Sequence, residues 1–72
     1  MAKVVLSIKN MSCQHCAMII KRALEKIGAK AEVSVEEKKA VVEYDESRLK
    51  VEELIDAISK YGYEAEVISH SH

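Results

Sequence analysis

Moved along by 34 residues, the chain lies over itself. Gly28-x-x-Ala31-Glu32-Val33 falls on Gly62-x-x-Ala65-Glu66-Val67. The apolar stripe ahead of each glycine matches too: Ala17 with Val51, Ile20 with Leu54, Ala23 with Ala57, Leu24 with Ile58 and Ile27 with Tyr61, while Ile8 lands on Val42. Val4, Leu6 and Ile8 alternate with Val5, Ser7 and Lys9, a strand with one apolar face. The spacing Ala17, Ile20, Leu24, Ile27 then takes the helical period, and Gly28 stands where a helix accepts a left-handed cap. Ala31, Val33 and Val35 restore the period of two, Glu36 to Lys39 make a charged hairpin turn, and Ala40, Val42 and Tyr44 form the inner face of a third strand. Val51, Leu54, Ile55 and Ile58 give a second helix ended near Gly62, and a short strand from Ala65 to Ile68 closes the order. One strand-helix-strand unit cannot bury its own apolar faces; two can share a core. The reading is α+β: a ferredoxin-like β-α-β-β-α-β sandwich, with a four-stranded antiparallel sheet and two helices on one face.

Residues 1–72 read as a single domain, with 69–72 as a flexible tail. A chain this short buries only about 60% of its unfolded surface, so a deep catalytic pocket is not expected. Eleven basic residues against twelve acidic ones, with a formal charge of −1, lack the basic excess of a nucleic-acid binder. Tyr44, Tyr61 and Tyr63 are the only aromatic residues, too few for a base-stacking platform. No apolar run has the length of a signal peptide or a membrane span, so the expected location is the cytoplasm, with no direct membrane insertion.

The repeat separates scaffold from function. In the first half, the loop between strand and helix is Asn10-Met11-Ser12-Cys13-Gln14-His15-Cys16; in the second it is Tyr44-Asp45-Glu46-Ser47-Arg48-Leu49-Lys50. Cys13 falls on Ser47 and Cys16 on Lys50, so the architecture can be built with no thiol there. Where a loop enters a helix, unpaired N–H groups and the positive end of the helix dipole favour thiolates. Two thiolates suit a soft, low-coordinate ion, and Cu(I) leaves the pair with a net charge that the helix end can stabilise. Zn(II) wants four ligands, and beyond the two cysteines only His15, His70 and His72 are at hand. An unfilled two-sulfur site admits a ligand from another protein, so metal can pass by stepwise exchange. The rival readings are a thiol–disulfide redox protein, half of a zinc finger, and two incidental thiols. The first would resemble thioredoxin, which is longer and sets a cis-Pro beside its thiols, whereas this chain has no Pro. The second lacks a second pair of ligands. The third must explain why both cysteines sit in a polar loop.

Met11-Ser12-Cys13-Gln14-His15-Cys16 resembles the Met-x-Cys-x-x-Cys motif of heavy-metal-associated domains, and the likeness runs through residues 3 to 68, including Gly62-Tyr63. The chain looks most like the bacterial copper chaperones of the CopZ and Atx1-like group, or a metal-binding domain of a copper-transporting P-type ATPase. The resemblance implies Cys13 and Cys16 as Cu(I) ligands, Met11 as an apolar anchor beneath the loop, and Tyr63 close to the metal. Zinc-transporting relatives often carry an acidic residue where Ser12 stands, which favours copper. Most members have Gly where this chain has Asn10, a residue that tolerates positive φ, so the same loop with less freedom is expected. The implied partner is an ATPase metal-binding domain or a copper-responsive regulator, with a monomeric apo chain and a metal-bridged dimer as an allowed state.

Plainer roles stand beside these. His15 reads as exposed, or as tuning the thiolates or bridging metal in a dimer. Lys9, Lys21, Arg22 and Lys60 make a solvated surface or a basic rim for an acidic partner. Met18 and Ile19 fall off the helical stripe, as a docking patch or as packing under a loop. His70 and His72 read as tail or as an appended remnant, rather than a second metal site.

Overall fold

The computed structural model describes residues 1–71. Its elements are β1 (Ala2–Ile8), α1 (Gln14–Lys26), β2 (Lys30–Ser34), β3 (Lys39–Tyr44), α2 (Val51–Ser59) and β4 (Ala65–Ser71). The strands form one antiparallel sheet in the order β2-β3-β1-β4. This is the expected β-α-β-β-α-β sandwich.

The alternation read from the sequence is the burial pattern of the sheet. Ala2, Val4, Leu6 and Ile8 of β1 and Ala40, Val42 and Tyr44 of β3 are buried, as are Ile20, Leu24, Leu54 and Ile58 of the helices that cover that face. No polar or charged residue is buried among the described residues, so apolar burial carries the core alone. Both helices stop at repeat-related glycines. Gly28 has φ +95° and Gly62 has φ +88°, and an added Cβ would meet nothing within 4 Å at either. Backbone conformation, not crowding, calls for glycine there.

The sheet departs from the reading at one edge. The strand expected to stop at Ile68 continues to Ser71, and Ser69, His70 and Ser71, expected as tail, pair with Val5, Val4 and Lys3 of β1. Main-chain pairing along the free side of β1 holds them, and His70 Nε2 lies 2.8 Å from the Tyr44 hydroxyl. A register shift opposite Val5 and Leu6 leaves Ile68 out of step. This bulge is why alternation fades in that stretch. His72 lies outside the described residues.

Core and edge should therefore respond differently to truncation. Leu24→Ala, which opens a cavity at a fully buried site, should cost about 2–5 kcal/mol in urea unfolding. Ile68→Ala, at a half-exposed site, should change stability by no more than about 0.5 kcal/mol.

Candidate metal centre

After β1 the chain turns through Lys9 and Asn10, and Met11 drops back into the core, where its side chain is fully buried. The thioether packs among core side chains and holds the loop down. Beyond it the backbone rises again, leaving Ser12 and Cys13 exposed and Cys16 half-buried at the start of α1.

Cys13 is the N-cap of α1, with φ −153° and ψ 167°, and its carbonyl accepts from the Ala17 amide at 3.2 Å. No side chain caps this helix, and its first turn holds no acidic residue. α2 differs: the Lys50 amide donates to Glu53 Oε1 at 3.2 Å, and Glu52 and Glu53 occupy its first turn. The amide-lined end of α1 is thus uncovered by any carboxylate of its own first turn.

Cys13 Sγ and Cys16 Sγ lie 3.2 Å apart. That is far beyond a disulfide bond of about 2.05 Å, so the pair is a dithiol. The Cys16 thiol is drawn down to about 7, first by the Tyr63 hydroxyl, then by the Cys13 thiol and the backbone at Ser12, with partial desolvation opposing. The same hydrogen bond raises the Tyr63 phenol. The largest contribution named at Cys16 comes from a tyrosine 47 positions along the chain, joined by the loop's own backbone at Ser12.

Asn10 brings that tyrosine into place. Its Nδ2 donates to the Gly62 carbonyl at 2.8 Å, and its Oδ1 accepts from the Glu64 amide at 2.9 Å. The Lys9 amide adds a bond to the Glu64 carbonyl at 3.0 Å. Asn10 does not use the positive φ that asparagine tolerates; among the described residues, Lys38 is the non-glycine that does. The Asn10 side chain, bonded at both ends, is what restrains the loop here.

The other candidates stand apart. His15 is exposed, and among the described residues no group of three or more His, Cys, Asp and Glu converges on a point where a metal would sit. Met18 is half-exposed and Ile19 half-buried. Lys9 pairs with Glu66 at 3.2 Å, an exposed bridge of small energetic weight. Among the described residues no helix is long and apolar enough to cross a membrane.

Set against known proteins, residues 5–64 match the family model of the heavy-metal-associated domain. The chain is 42% identical over 64 residues to the copper chaperone CopZ of Enterococcus hirae, covering 86% of this chain and 93% of that one. It is 37% identical over 62 residues to CopZ of Staphylococcus haemolyticus, covering 83% and 91%. Among solved structures it resembles a copper binding domain from HMA7, a P-type ATPase, with a TM-score of 0.92 at 28% identity over 97% of both chains. It also resembles a CopZ metallochaperone, with a TM-score of 0.84 at 33% identity over 89% of this chain and 98% of that one.

The pH dependence of the thiols follows from the Tyr63 contact. Alkylation of Cys16 in the apo protein should reach half its limiting rate near pH 7. Tyr63→Phe, which removes the largest cause, should move that midpoint toward the ordinary thiol value of about 8.5. Because the folded thiol ionises below the unfolded one, the apo fold gains stability as pH rises through about 7 toward the ordinary thiol range, and loses that gain on acidification. Urea midpoints across the same pH range check the sign.

Proposed function

This chain belongs to the heavy-metal-associated domain family, and on that premise we propose that it is a cytoplasmic copper chaperone whose Cys13 and Cys16 carry one Cu(I) and pass it on by thiolate exchange. The observation that carries this reading is the pair of free sulfurs 3.2 Å apart at an uncapped helix entrance, with no third ligand of the chain converging on them among the described residues.

With metal–sulfur bonds of about 2.3 Å, sulfurs at that spacing would subtend only about 90° at an ion. The two must spread to grip a low-coordinate ion from opposite sides. Either way, the solvent side stays open, and a thiolate of an acceptor can bind before Cys13 or Cys16 lets go. Cys13, the more exposed, is the natural first to leave; Cys16, half-buried against Tyr63, holds longer. The acceptor is a domain with a similar pair of thiols, such as the metal-binding domain of a copper-transporting P-type ATPase, or a copper-responsive regulator. No covalent bond of a substrate is made or broken, so the activity is carriage and not catalysis. The apo chain is a monomer, and two open sites facing each other can share metal as a dimer.

Competition against a Cu(I) chelator tests the assignment. Cys13→Ser and Cys16→Ser should each weaken Cu(I) binding by more than the roughly 10–100-fold lost on removing a supporting residue. Their apo unfolding midpoints should stay close to that of the parent, because Ser47 and Lys50 serve at the equivalent places of the second half. Comparable affinity of the monomer for Zn(II), or a large loss of apo stability, would contradict the proposal.

A further inference from the structure

In an antiparallel ladder each residue offers one N–H and one C=O to its neighbour. The β1–β4 ladder runs to Ile8 opposite Ala65, and the Lys9 amide adds a last main-chain bond to the Glu64 carbonyl. Beyond it the backbone dives toward buried Met11, and the main-chain partners of the other strand run out. The Asn10 carboxamide takes over with its own donor and acceptor, one on the Gly62 carbonyl and one on the Glu64 amide. Those are the peptide groups on either side of Tyr63. Gly62, at φ +88°, is the swivel that would otherwise let this turn wander.

We propose that Asn10 is a positioning residue for the metal site: its carboxamide extends the β1–β4 ladder by one side-chain rung, pins the turn from 62 to 64, and so keeps the Tyr63 hydroxyl on Cys16 as a latch that slows exchange of the bound ion. The inference rests on the Cu(I)-carrier reading for what is exchanged, and on this geometry alone for the clamp. An incoming thiolate must displace Cys16 to complete a transfer, and a hydroxyl hydrogen-bonded to that sulfur has to move aside as it leaves. Neither Ala nor Gly at position 10 can reach across to Gly62 and Glu64.

Two measurements test it on the full chain. In the apo protein, Asn10→Ala should speed hydrogen exchange of the Glu64 amide about tenfold, the scale of one to two net hydrogen bonds. Amides of the central β1–β3 pairing should exchange at the parent rate. In the Cu(I)-loaded protein, stopped-flow transfer to a bidentate Cu(I) chelator should run several-fold faster in Asn10→Ala and in Tyr63→Phe. The double variant should be no faster than Tyr63→Phe alone, because the clamp acts through the hydroxyl. Asn10→Asp, which keeps the acceptor for Glu64 and loses the donor for Gly62, should fall between parent and Asn10→Ala in the amide measurement. Additive rate increments in the double variant, or an unchanged transfer rate with an exposed Glu64 amide, would overturn the latch. Failure of the parent chain to load Cu(I) would overturn the carrier reading and the latch with it, while the amide exchange would still decide the clamp.

Discussion

Every hydrogen-bonded strand pair in the sheet joins one half of the repeat to the other. β2 pairs with β3, β3 with β1 and β1 with β4, while β1 and β2, or β3 and β4, never touch as neighbours. Leu6 faces Ala40 directly, and Ala40 is its repeat mate 34 residues on. The approximate twofold of the chain therefore passes through the central ladder at the Leu6–Ala40 pair, toward the hairpin end of β3. Neither half holds a sheet of its own, and the apolar faces of both helices close over strands drawn from both. The cysteine loop inherits its shape from this arrangement, because Met11 is fixed by the common core and Asn10 by a turn that belongs to the other half.

The two halves spend their loops differently on the same scaffold. In the second, polar groups satisfy one another: Asp45 Oδ1 accepts from the Ser47 amide at 3.0 Å and from the Ser47 hydroxyl at 2.6 Å, and Glu53 takes the Lys50 amide. That loop is finished as it stands. In the first, Cys13 stands at the cap position without capping, and the sulfurs face each other and solvent. The difference between a structural turn and a receptive one lies in which side chains leave the helix end uncovered.

Much of this was legible in the residues, and the exceptions have physical causes. Period-two and period-3.6 stripes reveal β1, β3 and both helices, because each has one face in a continuous core. The far end of β4 is not legible in the residues because it lies on the sheet edge beside a bulge, where Val67, Ile68 and Ser69 are all exposed and no alternation survives. The Cys-x-x-Cys loop is visible as a local pattern, and its repeat mate marks the thiols as additions to the fold. Tyr63 came only from resemblance. The clamp by Asn10 came from nothing local, since hydrogen bonds spanning 52 and 54 positions leave no trace in spacing or composition.

The interleaved sheet also has a history in time. Its β1–β3 and β1–β4 ladders link residues far apart in sequence, so the sheet is complete only once β4 has emerged from the ribosome. The turn that steadies Tyr63 is made after three of the strands and both helices. Before then, Cys16 lacks the tyrosine hydroxyl that draws its thiol down. The electrostatics of the cysteine loop therefore belong to neither half of the repeat alone, because the group that draws down Cys16 is held in place by bonds reaching across from one half to the other.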